Sequence, residues 1–229
     1  MTRELFTKEL NHLQEEMMNM AFLVDQAMIE AVESLRVRDM QASKRIIAQD
    51  KTINKMRYDL ENACLVVIAT QQPMAVDLRV VAAILDITKE LERMGDYAKG
   101  IARINLLIGD EPLIKPLIDI PRMAQKWSSM LKQALQAFIE RDINLAAQIP
   151  AEDDEIDYLY EQVYRELITH LLATPSKIKQ ANYLLWAAHN LERAADRVTN
   201  ICERVIFMVT GELRETPSKD NGNVERISP

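Results

Sequence analysis

The sequence predicts an all-α protein: two tandem homologous three-helix bundles, six long helices in all, with a disordered tail over 213–229. Three observations carry this expectation. Apolar residues recur at alternating steps of three and four, the spacing of a helix seam packed against neighbouring helices. Glycine is scarce (5 of 229 residues) and aromatic residues make up 5%, which argues against a turn-rich β fold. The two halves of the chain also repeat one another.

The seams can be followed residue by residue. Leu10, Leu13, Met17, Met20, Val24, Ala27 and Ala31 form the first. Val80, Ile84, Ile87, Leu91, Met94, Ala98 and Ile101 form another, and Leu184, Ala187, Leu191, Ala194, Val198, Ile201, Val205 and Met208 a third. Breaks fall near Arg38-Asp39, at Pro73, between Gly109 and Pro121, near Arg141-Asp142 and at Pro175. Helices are therefore expected over 5–37, 40–70, 77–108, 119–140, 143–173 and 177–211. The segment with Pro112, Pro116 and Pro121 separates a first repeat, 1–110, from a second, 117–212.

The repeat has a definite register. Arg38-Asp39-Met40 matches Arg141-Asp142-Ile143, and Asp50 to Asn54 matches Asp153 to Asp157, both at an offset of 103. Leu91-Glu92-Arg93-Met94-Gly95-Asp96 matches Leu191-Glu192-Arg193-Ala194-Ala195-Asp196 at an offset of 100. The lost residues fall between the second and third helix of each copy, where a loop absorbs them.

Composition narrows the setting. A net charge of −7 disfavours nonspecific binding to nucleic acid or anionic membranes. The longest uncharged run, Asn62 to Val76, is too short and too polar to span a bilayer, so no direct membrane insertion is expected. The first residues lack the apolar core of a secretion signal. Cys64 and Cys202 lie within apolar helical patterns and read as buried thiols. A cytoplasmic protein is expected.

Acidic pairs spaced by four are the feature a plain coiled coil does not need. Asp50/Asn54, Glu92/Asp96, Asp153/Asp157 and Glu192/Asp196 each place two polar side chains on one helix face. In an antiparallel hairpin, facing residues share an index sum. Asn54 with Glu92 and Asp50 with Asp96 share 146, which centres the hairpin on Pro73. Asp157 with Glu192 and Asp153 with Asp196 share 349, which centres it between Thr174 and Pro175. Each bundle is thus expected to carry a four-residue cluster on facing helices.

Two carboxylates about 5 Å apart repel by roughly 3 kcal/mol at an effective dielectric of about 20. Such a set must protonate, splay into water, pair with Arg or Lys, or bind cations. Asn200, one turn beyond Asp196, adds a possible neutral oxygen ligand. All-oxygen ligands favour hard or borderline ions such as Mg²⁺, Ca²⁺, Mn²⁺ or iron. Taken singly, each pair is more simply a solvated helix face, and Asp153 also reads as part of an acidic helix N-terminus after Pro150. Recurrence at matched positions favours cation binding for the set.

A catalytic constellation is not visible. His170 follows Glu166 by four and His189 precedes Glu192 by three, so neither forms the Glu-x-x-His of a di-iron bundle. The sequence contains no phosphate-cradling glycine loop and no nucleophile–base motif. A partner-binding adaptor, a carboxylate-bridged di-metal enzyme and a purely structural bundle remain as classes.

The paired segments Leu91 to Asp96 and Leu191 to Arg197, with Pro73 to Arg79 before the first and Asn200 to Glu203 after the second, resemble the PhoU family. That family carries an E-R-x-G-D signature in each of two repeats, and the resemblance spans about residues 5–211. Ala195 departs from the usual glycine, and Asn54 from the acid of its repeat mate. The resemblance implies a non-enzymatic negative regulator of phosphate uptake and of the phosphate-starvation response. It implies binding to the ATPase subunit of the phosphate ABC transporter and to a phosphate-sensing histidine kinase, and a homodimer. It also implies multinuclear metal sites (iron, Mn, Zn or Mg) at the acidic motifs.

Overall fold

The computed structural model describes residues 3–212, and no strand occurs among them. The chain runs α1 (Arg3–Val37), α2 (Met40–Gln71), α3 (Val76–Ile108), α4 (Asp119–Glu140), α5 (Ile143–Gln148), α6 (Asp153–Ala173) and α7 (Ile178–Thr210). The tail expected to be disordered, 213–229, lies outside the described residues.

Five of the six expected helices fall where the apolar period places them. The fifth, expected unbroken over 143–173, is divided. A 3-10 turn, Ile149–Glu152, separates α5 from α6, with Pro150 in its first turn. Proline has no N–H to donate and its ring collides with the preceding turn, so α-helical bonding cannot pass through it. At the matched place of the first repeat stands Ile47, and α2 runs through without interruption. The break starts α6 at Asp153, with Asp153, Asp154 and Glu155 in its first turn, where the helix dipole favours acids.

The same local chemistry begins the second helix of each repeat. Arg38 and Arg141 take left-handed backbone conformations (φ 66° and 56°) that end the helix before. Asp39 then accepts from the Gln41 and Ala42 amides at 2.8 and 2.9 Å. Asp142 accepts from Asn144 and Leu145 at 2.9 and 3.0 Å. Each aspartate satisfies two amides that the helix cannot bond internally. In the first repeat buried Asn105 ties this corner down, donating to the Ser34 and Asp39 carbonyls and to Ser43 Oγ.

The middle of the molecule is made by α3 and α7. Helix α3 packs on α1, α2 and α7, and α7 packs on α3, α4 and α6. One continuous apolar core runs through both repeats, with Met17, Ile84, Leu91, Trp127, Phe138, Leu191 and Val198 at or near zero exposure. The α3–α7 seam is antiparallel and keeps one register. Arg204 pairs with Asp86 at 3.4 Å, Asn200 and Arg197 reach Glu90 at 3.3 and 3.5 Å, and Arg193 lies over the Tyr97 ring. Three of the four contacts share an index sum of 290, with Arg197–Glu90 at 287, and this register sets Gly95 opposite Ala195. The two signature segments therefore meet at the centre of the molecule. Trp127 of α4 reaches the same place, donating from Nε1 to the Ala194 carbonyl at 3.1 Å.

Cys64 and Cys202 are free and buried, as expected, and burial pushes both thiols up to about 12. Among the described residues no helix is long and apolar enough to cross a membrane.

If the two caps act alike, Asp39→Ala and Asp142→Ala will each lose about 1 kcal/mol of stability. In a chain of this size that lowers the melting temperature by roughly 2–4 °C. Denaturant titration of the single variants and the double variant checks this, with near-additive losses expected because the two corners share no partner.

Candidate functional site: two acidic clusters

The signature helices carry their acids on the side away from the α3–α7 seam. Glu92 and Asp96 of α3 turn toward α2, and Glu192 and Asp196 of α7 turn toward α6. Arg93 and Arg193 point elsewhere on the helix. Arg93 pairs with Glu90 at 3.3 Å, and Arg193 stacks on Tyr97 with 5.5 Å to the ring centroid. Gly95 lets α2 come close: a Cβ there would lie 3.2 Å from Ile53 Cγ2.

In the first repeat Asp50 and Asp96 converge on one cation, Lys99. Its Nζ lies 2.7 Å from Asp50 Oδ2 and 3.1 Å from Asp96 Oδ1. Asp50 is buried, with 5% of its surface exposed. Asn54 donates from Nδ2 to the same Asp50 oxygen at 3.1 Å, which an aspartate there could not do. Glu92 is held by Arg57 at 3.5 Å, and Arg57 also faces Glu61. Asp50 Oδ1 and Asn54 Oδ1 are buried without a hydrogen-bond partner. The hydrogen bond to Asp50 pushes the Lys99 ammonium up from its ordinary value, partly offset by burial. Contacts between α2 and α3 fall at index sums of 148–149, two to three above the expected 146. Part of that difference comes from Arg57 and Lys99, whose long side chains reach past their opposite residues.

The second repeat holds the same positions with different chemistry. Tyr160 stands where Arg57 does, Thr199 where Lys99 does, and Asp157 where Asn54 does. Tyr160 and His189 pack with ring centroids 6.1 Å apart, at the expected index sum of 349. Asp153 is pushed up to about 7, first by burial and then by the charges of Asp157, Asp196, Glu192 and Asp154. Glu192 is raised by burial and by Asp196, with His189 acting against both. His189 Nδ1 is 3.1 Å from Glu192 Oε2, and Asp153 Oδ1 is buried without a hydrogen-bond partner. Asn200 turns to the seam, where its amide nitrogen donates to Glu90.

These environments give different answers on metal. The first cluster does not fit an added ion between Asp50 and Asp96, because Lys99 already stands there. Each cluster holds a buried carboxylate oxygen without a donor, Asp50 Oδ1 in the first and Asp153 Oδ1 in the second. The second, however, has no Lys or Arg at the matched positions and keeps a mutual repulsion that a cation relieves. Among the described residues no three Asp, Glu, His or Cys groups gather closely enough to hold one ion. Sequence reading overlooked Lys99 and Arg57. The signal was present: Lys99 follows Asp96 by three on the same helix face, opposite an uncharged Thr199 in the other repeat.

A protein of this kind is a tandem helical-repeat scaffold with an acidic motif on each central helix. The PhoU domain matches residues 17–104 and 120–205, and the chain belongs to the PhoU family. A phosphate-specific transport system accessory protein PhoU homolog of Aquifex aeolicus is 37% identical over 90% of this chain and 93% of its own. The phosphate-specific transport system accessory protein PhoU of Escherichia coli K12 is 33% identical over 90% and 86%. Among solved structures, the phosphate transport system regulatory protein PhoU of Streptococcus pneumoniae matches with a TM-score of 0.85 at 31% identity, covering 92% of this chain and all of that one. PhoU of Pseudomonas aeruginosa also gives 0.85, at 30% identity.

The raised Asp153 has a signed consequence. Between the unfolded value of 3.8 and about 7, the folded state holds a proton that the unfolded chain has released. In chelator-treated protein this group's contribution is full below pH 4, is lost as pH rises toward 7, and stays flat above. Asp153→Asn removes that slope and raises stability at pH 7.5. Denaturant midpoints of both proteins between pH 4.5 and 8 check it; parallel curves contradict it.

Proposed function

We propose that this chain is a cytoplasmic regulator of phosphate uptake that acts by binding partner proteins rather than by turning over a substrate. Its membership of the PhoU family carries this reading, since relatives aligned over about nine-tenths of the chain are accessory proteins of phosphate-specific transport. In this reading it restrains uptake and the phosphate-starvation response when phosphate is plentiful. Its partners are the ATPase subunit of the phosphate ABC transporter and a phosphate-sensing histidine kinase, and it works as a homodimer.

The architecture suits such a role. The buried core leaves the α2–α3 and α6–α7 turns at the molecule's surface, and both are apolar there. Met74, Val76 and Leu78 are exposed at one, Leu172 and Ile178 at the other, with Met74 and Leu172 at about 80%. Exposed apolar side chains gathered in this way are characteristic of protein-docking surfaces. Metal enters this reading as a structural ion of the second repeat, toward which Asp153, Asp157, Glu192 and Asp196 would have to draw together. Its chemistry there is charge neutralisation, which fixes α6 against α7.

Capture of purified transporter ATPase or kinase by the immobilised chain is the direct trial of partner binding. Deleting the gene is expected to leave phosphate-starvation genes expressed in rich phosphate. Normal repression in the deletion strain, with neither partner captured, contradicts the regulatory role. For the ion, chelation should lower the melting temperature, and Glu192→Gln with Asp196→Asn should shrink that shift. An unchanged melting curve, with no metal in protein purified without added metal, leaves the second cluster as a solvated acidic face.

A further inference from the structure

We propose that the first-repeat cluster carries its own cation, the Lys99 ammonium, so that metal uptake by this chain is confined to the second repeat. The inference rests on the reading above that Asp153, Asp157, Glu192 and Asp196 take an ion.

Three matched positions differ between the repeats, and all three differ in the same electrical direction. Asn54 replaces an acid, Arg57 replaces Tyr160 and Lys99 replaces Thr199. The first set pairs the acids Asp50, Glu92 and Asp96 with Lys99 and Arg57, leaving one net negative charge. The matched second set has four acids and no Lys or Arg. The geometry follows the charge. Lys99 Nζ bridges α2 and α3 through Asp50 and Asp96 at 2.7 and 3.1 Å, the place an ion shared by the two helices would take. Lys99 shows 19% side-chain exposure and Asp50 6%, so the pair is largely shielded from water. In the second repeat Thr199 turns its hydroxyl to the Asp196 backbone carbonyl at 2.7 Å and brings no charge.

An ammonium and a divalent ion cannot both lie within bonding distance of the same two carboxylates, because metal–oxygen bonds of about 2.0–2.6 Å would set the two cations against each other. The α2–α3 acids are therefore bridged whatever the metal supply, while an ion taken up by the α6–α7 acids would add there the bridge that Lys99 already supplies in the first repeat. Metal availability is then read by one half of the molecule, and the other half is a fixed frame for it.

The test uses the full chain, stripped with chelator and reloaded with Mn²⁺, with metal per chain and melting temperature as readouts. Asp50→Asn with Asp96→Asn is expected to keep the wild-type metal content, and Asp153→Asn with Asp196→Asn to lose it. Lys99→Met, which keeps the stem and removes the charge, is expected to bind more Mn²⁺ than wild type and to gain a Mn²⁺-dependent rise in melting temperature. Should Lys99→Met fold poorly without metal, Lys99→Met with Asp50→Asn, which removes the exposed repulsion, is expected to refold and to show less of that gain. A fall in metal content on Asp50→Asn with Asp96→Asn overturns the proposal, as does Lys99→Met with unchanged metal content and unchanged melting. If wild type takes up no Mn²⁺ while Lys99→Met does, the second-repeat reading fails and the role of Lys99 stands.

Discussion

Everything in this molecule is arranged around the antiparallel packing of α3 on α7. Those two helices bury one stripe against each other and a second against their own bundles, so each has only one side left for polar groups facing a neighbour. The acids at spacing four occupy that side. They sit between helices that the apolar core holds together, and cannot relieve their repulsion by moving the backbone apart. A cation, a proton or a splayed side chain must do it. The two repeats answer that demand differently, although one pattern of acids generated both.

The division into helices was legible because it depends on local signals: apolar period, proline and an aspartate cap. Arg38-Asp39 and Arg141-Asp142 show how local it is, since the same dipeptide makes the same corner twice. The one misplaced boundary, at Pro150, was legible too, because the proline lies inside the segment read as continuous helix and repeat matching to an unbroken α2 concealed it. The convergence of Asp50 with Asp96 followed from hairpin arithmetic. What fills the space between them did not, because the arithmetic tracks Cα positions, whereas lysine and arginine reach a turn beyond their own. The place of Asn200 at Glu90 depends on how the two repeats pack, and intra-repeat pairing carries no information about that seam.

The signature arginines gain a role from the same seam. Arg93 meets Glu90 on its own helix, Glu90 receives Arg197 and Asn200 from the other repeat, and Arg193 covers Tyr97. The motif thus works on two sides at once, with its acids serving the bundle and its arginines serving the junction between bundles. A change in either cluster acts on helices that are also the junction, which gives an acidic site a mechanical route to surfaces elsewhere on the molecule. Such a scaffold fits a family whose members are accessory proteins of transport.

The central claim is that one acid pattern is neutralised in two ways, by a lysine in the first repeat and by metal in the second. A crystal structure of the Mn²⁺-loaded chain, with anomalous scattering recorded for manganese, tests it most directly. The account predicts an anomalous peak among Asp153, Asp157, Glu192 and Asp196, and Lys99 Nζ without one between Asp50 and Asp96. A manganese peak between Asp50 and Asp96, with Lys99 turned out to solvent, contradicts it.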